Sequence, residues 1–426
     1  MLQPVACPKI EIATWEEALK HVRARSTDLR VALGEVERAE GLSRVALAGA
    51  LTTVNGSATY THNFISSETQ QFARDPASPT GFRTTPVSTP FPNFLTAQAT
   101  AIQPVFAPRA WYAIGTAERN IEVARLTVED TKRTIALAVA NAMVAVVTAE
   151  RIAELNRLGL RNALTRLELT QRKTTLGGGT GLDVVRARQD VENARQLLVQ
   201  GDETLRQARE SLGLALGIPE QVGVPPNVDI SGLEAGARNV CRQANSIDER
   251  SDVAALNARV EVAHRQHQDV KYQFSPTVDV RSTVGTTTID TGAAPNTTWN
   301  VQAVLTVPLW EGGARYGNLR ETHAAEGIAI QRLEAQKRKA IIEVEQARRA
   351  VTVADERRKV AVQSRDLAAE NDRLTRASYL EGRGTSLELV AAAQALREAE
   401  INLALREFDL VKARVLAVLV LAYCPW

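Results

Sequence analysis

Apolar positions in this chain recur with two different periods, and each change of period marks an element boundary. From residue 116 to 176 there is no proline and one glycine, Gly159. Within that stretch Ile121, Ala124, Val128, Ile135, Ala138 and Ala142 return every three or four residues, the spacing of one helix face. This predicts a helix over about residues 109–176, roughly 100 Å long at the rise of an α-helix. A second such stretch covers 313–381, with charge on its other positions, as from Glu326 to Arg349. Return helices are predicted over 182–216 and 387–421, and shorter leading helices over 14–50 and 247–273. Single helices of the longest kind need lateral partners in water, so coiled-coil packing is expected.

Between the helices the period falls to two. Val278, Val280 and Val284 alternate with Thr277, Asp279, Arg281 and Thr283. Trp299, Val301, Ala303, Leu305, Val307 and Leu309 alternate with Thr298, Asn300, Gln302 and Thr306. Earlier in the chain Val54, Ala58, Tyr60 and Phe64 alternate with Asn55, Ser57, Thr59, Thr61 and Asn63, and Leu95, Ala97, Ala99 and Ala101 form a weaker set. Strands are predicted over about 51–65, 93–106, 275–288 and 297–309, each near the length that crosses a bilayer. One apolar and one polar face suits lipid outside and water inside. The joining segments are a long Pro- and Ser-rich loop, 66–93, and a short one, 289–296. Pro104 and Pro308 fall where the ladders must end. Four strands cannot close a barrel, and open edges are not tolerated in lipid, so several copies must share one barrel.

The two halves repeat. Leu176-Gly177-Gly178-Gly179-Thr180-Gly181-Leu182-Asp183 aligns with Glu381-Gly382-Arg383-Gly384-Thr385-Ser386-Leu387-Glu388 at one constant offset, which also pairs Gln189 with Gln394. Pro104-Val105-Phe106 aligns with Pro308-Leu309-Trp310 at an offset one residue shorter. The simplest account is a tandem duplication: a first repeat over 1–216, an inter-repeat segment over 217–246, and a second repeat over 247–426. At each turn between long helices, Gly177 and Gly382 suit a left-handed helix end. Thr180 and Thr385 are placed to cap the next helix, with Asp183 and Glu388 three residues on to complete a capping box.

Composition narrows the function. Lys and Arg number 51 against 49 Asp and Glu, so bulk nucleic-acid binding is not indicated. Aromatic residues are 4%, with Ala, Leu, Val, Arg and Glu in excess, the composition of long helices. No run of about 18 uncharged apolar residues occurs, which argues for strands and against a spanning helix. No hydrophobic leader precedes the first elements, so the chain reads as a mature form. Cys7, Cys241 and Cys424 give no disulfide framework or zinc motif; one disulfide, unpaired thiols and lipidation at Cys7 all stay open.

The glycines at 177–179 follow no strand and precede no Lys-Ser/Thr, so they form a turn and not a phosphate loop. His264 and His267 lie three apart on a helix, but no third ligand is evident, and a solvated helix face is the simpler reading. No metal site, cofactor, nucleophile or acid pair is assigned, so the chain is not read as an enzyme.

Two repeats, each with a strand pair feeding a long helical hairpin with a Gly-x-Gly-Thr tip, resemble the TolC family of outer-membrane channels over nearly the whole chain. The specific parts are Pro308-Leu309-Trp310-Glu311-Gly312-Gly313 and Tyr379-Leu380-Glu381-Gly382-Arg383-Gly384-Thr385. The family's usual Asn-Pro in the first helix is replaced by Thr27-Asp28, and Gly34 weakens that helix. The resemblance implies a mostly α fold with membrane β: a homotrimer with a shared twelve-stranded barrel in outer-membrane lipid and a helical tunnel in the periplasm. It implies docking at Gly177, Gly179, Thr180, Gly382, Gly384 and Thr385 to a periplasmic adaptor of an inner-membrane transporter of the RND, ABC or MFS type. It further implies a constriction at the tip, with Asp183 and Tyr379 in an inter-helix polar link, Arg383 as the basic residue of the turn, and Glu388 facing the pore. The next acid of that ring is Ala391 here. An efflux duct is the leading reading, and a type I protein-secretion channel the alternative. A soluble coiled-coil protein or a pore-forming toxin accounts less well for the alternating strands and the duplication.

Overall fold

In this computed structural model, residues 3–74, 77, 79, 81–225, 235, 242–243, 246–289 and 295–423 are described. Cys241 and Cys424, most of the inter-repeat segment and the centre of the 289–296 loop lie outside them. Cys7 is exposed and unpaired.

The elements in chain order are β1 (Ile10–Glu11), α1 (Trp15–Arg25), α2 (Thr27–Ala48), β2 (Thr53–His62), β3 (Ser67–Arg74), β4 (Phe82–Thr89), β5 (Asn93–Phe106), α3 (Pro108–Thr175), α4 (Gly181–Leu216), β6 (Val222–Gly223), β7 (Arg242–Gln243), a 3-10 turn (Ile247–Glu249), α5 (Ser251–Tyr272), β8 (Thr277–Thr287), β9 (Thr297–Thr306), α6 (Ala314–Leu380), α7 (Ser386–Leu419) and β10 (Ala422–Tyr423). The order strand pair, long helix, tip, return helix occurs twice. The long helices α3 and α6 have 68 and 67 residues, so neither is broken between strand and tip.

Two differences from the sequence reading have local causes. The leading helix is two helices, because Ser26 leaves the α region at φ −60°, ψ 120°. Its amide still donates to Val22 O, and its hydroxyl accepts from Leu29 N at 3.3 Å, which caps α2 without a proline. The Pro- and Ser-rich loop holds a hairpin of its own, β3 paired antiparallel with β4 from Ser67↔Thr89 to Arg74↔Phe82.

The chain forms two compact units that cut across the repeats, each drawing on both halves. One comprises Met1–Val36, Val123–Ala258 and Gln331–Trp426, the other Glu37–Glu122 and Arg259–Ile330.

In the first unit the core gathers Ile12, Trp15, Leu19 and Val22 from the leading segment and Ile135, Val139, Met143 and Val146 from the middle of α3. Leu212 and Leu216 from α4 and Phe408, Val415 and Leu419 from α7 complete it. The β1–β6 pair, parallel and in register at Ile10↔Val222, closes one side of this core. One helix is nonetheless long and apolar enough to cross a bilayer when a charged residue or two is allowed in the span. That helix is α3. Residues 135–147 of α3 are packed in the core just described, which accounts for their apolar character without a membrane. Nearby, Arg250 at the start of α5 donates to both carboxylate oxygens of Asp252 at 2.8 Å and to Glu343 of α6 at 2.5 Å. Gln336 also donates to Asp252. Burial pushes the Asp252 carboxyl up, but the Arg250 hydrogen bonds outweigh it and hold the group below its usual range.

In the second unit a four-stranded antiparallel sheet has the order β2-β5-β8-β9. The register pairs Val54↔Ala101, Ala58↔Ala97 and Tyr60↔Leu95, then Ala99↔Val284, then Val284↔Trp299 and Val278↔Leu305. Directly opposed residues share a face, so the apolar sets of all four strands fall on one side. The sole irregularity among these pairings sits between Pro104 and Phe106, where proline cannot donate to the ladder.

Candidate functional site

Two features bear on function, the hairpin tips in the first unit and the sheet in the second. Each tip is built by backbone requirements that recur at equivalent positions. Gly177 has φ 79° and Gly382 φ 80°, a conformation that ends the preceding helix and disfavours any side chain. The next amide folds back on the helix in both: Gly178 N donates to Lys173 O, and Arg383 N to Ser378 O, each at 2.9 Å. Gly179 and Gly384 are needed for closeness. A Cβ at Gly179 would lie 2.8 Å from Thr174 Oγ1, and one at Gly384 would lie 3.1 Å from Tyr379 N.

The caps follow. Asp183 N donates to Thr180 Oγ1 at 3.3 Å, while Thr180 N donates to Asp183 Oδ2 at 3.0 Å. Glu388 N donates to Thr385 Oγ1 at 3.2 Å, and Thr385 N to Glu388 Oε2 at 2.9 Å. Both are complete capping boxes.

The side chains then connect one tip to the other. Ser386 donates its hydroxyl to Asp183 Oδ1. This bond, with those from the Thr180 amide and hydroxyl, holds the Asp183 carboxyl below its usual range. The Thr385 amide, then its hydroxyl, depresses Glu388 likewise. Lys173 Nζ donates to Tyr379 O at 3.0 Å and sits 3.9 Å from the centre of the Tyr379 ring. Tyr379 is buried at the tip, but within one chain its hydroxyl makes no hydrogen bond to Asp183. The structure brings Asp183 to Ser386 and Tyr379 to Lys173. Arg383 is 82% exposed at the turn.

One step up from the tips, Arg166 Nη2 donates to Asp190 Oδ2 at 2.6 Å, with side-chain exposures of 7% and 1%. Gln394 of α7 donates to Asp190 Oδ1 at 3.3 Å. Further up, Gly159 leaves room for Arg397, whose Cδ would lie 2.7 Å from a Cβ there. None of Lys173, Ser386, Arg166, Asp190 or Gln394 stood out in the sequence as a site residue.

The sheet presents two chemically distinct faces. The apolar side exposes Val54, Tyr60, Val284, Trp299, Val301 and Leu305, with Trp299 73% exposed. The other side carries Ser57, Thr59, Thr96, Gln98 and Thr298 around a shallow polar depression. On the same side of the sheet the Thr100 and Thr283 hydroxyls meet at 3.3 Å. Aromatic residues cluster where the strands pass into helices. Phe106 packs edge-on to Trp111, Phe274 to Tyr316, and Tyr112 lies 4.9 Å from Tyr272 between ring centres. The Pro308-Leu309-Trp310-Glu311-Gly312-Gly313 turn is held by Arg315, which donates to Pro308 O at 3.1 Å and pairs with Glu311. It leaves Leu309 and Trp310 projecting into solvent. Exposed rings at strand ends are what an interfacial girdle requires.

Comparison with known proteins agrees with this arrangement. The chain is 25% identical over 260 residues to the toluene efflux pump outer membrane protein TtgC of Pseudomonas putida, covering 58% of this chain. The match spans about half (53%) of that relative's length. Among solved structures, VceC of Vibrio cholerae superposes with a TM-score of 0.77 at 17% identity, covering 96% of this chain and 95% of its own. CusC superposes with a TM-score of 0.80 at 16% identity, covering 98% of each. The open-state MtrE outer membrane channel of Neisseria gonorrhoeae gives 0.74 at 17%, covering 99% and 97%. These likenesses establish the fold. The family model described as "Outer membrane efflux protein" matches residues 18–218 and 244–416, both repeats and both tips, and the chain belongs to that family.

Proposed function

We propose that this chain is one protomer of a homotrimeric exit duct in the outer membrane of a Gram-negative cell. The duct is a passive efflux channel, opened at its helical tips by a periplasmic adaptor and an inner-membrane transporter. The observation that carries this reading is the four-stranded sheet with one apolar face and, among the described residues, unpaired outer edges on β2 and β9. In lipid each edge needs a partner strand, and neighbouring copies supply it. Three copies give twelve strands, within the range of closed outer-membrane barrels. The aromatic clusters at the strand-to-helix junctions then lie at the bilayer boundary.

The tips are the moving part. Asp183, Tyr379, Arg383 and Glu388 form the constriction, and the glycine turns with Thr180 and Thr385 offer the adaptor a rigid docking edge. The Asp183–Ser386 and Lys173–Tyr379 links support a closed arrangement, which docking replaces with contacts to the adaptor. Energy for transport comes from the partner, because the duct needs only a pore. Single-channel recording in planar bilayers tests this. Asp183→Ala, which removes the Ser386 link, combined with Lys173→Ala, which removes the Tyr379 link, is expected to raise conductance at unchanged trimer yield, and an unaltered conductance contradicts the gate.

A further inference from the structure

The histidines set aside on sequence grounds have partners that linear spacing hides. His264 and His267 lie one turn apart on α5, and His323 and Glu326 one turn apart on α6. The helices run antiparallel here, so the two pairs meet. His264 Nδ1 is 2.7 Å from Glu326 Oε1. The His267 and His323 ring centres are 5.5 Å apart at 52°. One donor atom each from His267, His323 and Glu326 lies within 4.8 Å of the other two. Of the chain's five histidines, three converge at this point.

The neighbouring hydroxyl fixes which imidazole nitrogen is free. Thr322 Oγ1 donates its only hydrogen back to its own helix, to Asn318 O at 2.8 Å. It also lies 3.2 Å from His267 Nδ1. With that hydrogen committed, Nδ1–H of His267 is the donor in this contact, and in the neutral imidazole Nε2 then carries the lone pair. An imidazole anchored through Nδ1 and open at Nε2 is the arrangement found in metal-binding histidines. On the other side, His264 reaches Glu326 Oε1 and orients its carboxylate.

We propose that His267, His323 and Glu326 bind a divalent transition-metal ion of the zinc, cobalt or nickel class. Two imidazole nitrogens and one carboxylate oxygen match that class and differ from the all-oxygen shells of calcium and magnesium. Three protein ligands leave a position for water or an incoming ligand. Exposed His323 gives the ion a way in, while His267 and Glu326 are half-buried. Because α5 enters β8 and α6 leaves β9, the ion clasps the two helices that flank this strand pair.

The test uses the full chain, purified in detergent with a histidine-free tag, stripped with chelator and titrated with Co2+ and then competing Zn2+. The expected result is one ion per chain, with visible cobalt absorption that zinc abolishes. His267→Ala and His323→Ala each remove the absorption while oligomer size is unchanged. Thr322→Val keeps both ligands and is expected to weaken binding about 10–100-fold, the usual effect of losing an outer partner. His21→Gln with His62→Gln leaves binding intact. Failure to saturate at one ion per chain, or binding that survives His267→Ala with His323→Ala, overturns the proposal.

Discussion

The two hairpin tips are copies in backbone and complements in side chain. Gly177 and Gly382, Gly179 and Gly384, and the two Thr-x-x-acid caps occupy matching positions with matching hydrogen bonds. At other positions the two tips differ. Lys173 stands where the other tip has Ser378, Thr174 where it has Tyr379, and Gly181 where it has Ser386. Lys173 packs on Tyr379, and Asp183 accepts from Ser386. Each hairpin thus keeps what the turn geometry requires and differs in what faces the other. Two identical tips would set like residues against like, whereas divergence supplies a cation for a ring and a donor for a carboxylate.

The largest expected effect on the paired tips comes from a site away from the turns themselves. The Arg166–Asp190 pair, almost fully buried, lies above the first tip, and its link to α7 runs through Gln394. Asp190→Ala leaves Arg166 buried and uncompensated. The expected loss is about 3–5 kcal/mol, read from denaturant unfolding of the helical signal. Arg166→Met with Asp190→Leu is expected to recover most of it, because an apolar pair of similar volume replaces the ions at little cost.

Next in size are the caps. Thr180→Ala is expected to cost about 1 kcal/mol, and Thr385→Ala is expected to have an effect of the same order if the tips are equivalent in backbone. Amide exchange in the first turns of α4 and α7 reads each locally. A large imbalance would show that side-chain context, not the shared box, sets tip stability.

The smallest effect is that of pH. Asp183 and Glu388 are both held below their ordinary values by hydrogen bonds to the charged form. Their contribution is therefore full above the ordinary carboxylate range near pH 4 and is lost as pH falls through the depressed folded values. Exchange protection at the tips is expected to stay level from neutral pH to that range and to decline below it. Asp183→Asn should flatten the decline at the first tip only.

Much of this arrangement is legible in the sequence because it follows from local rules. The change of period from near 3.6 to 2 locates the strands, and both tip turns follow from glycine spacing and capping chemistry. What stayed hidden depends on partners distant in sequence or on hydrogen bonds without a strong residue signature. Arg166 and Asp190 look like charges on a solvated helix face until α4 folds back on α3. The break at Ser26 has no proline to announce it, only a hydroxyl within reach of Leu29 N. The β3–β4 hairpin lacks an apolar alternation, since both strands are rich in polar residues and one contains Pro86. His323 and Glu326 lie a whole strand pair away from His264 and His267.

The central claim is that the β2 and β9 edges are sealed by strands of other copies in a bilayer. Native mass spectrometry of the detergent-extracted outer-membrane fraction addresses it directly. A detergent-stable species of three chains is the predicted result. Single chains, with no three-chain species, would contradict the account.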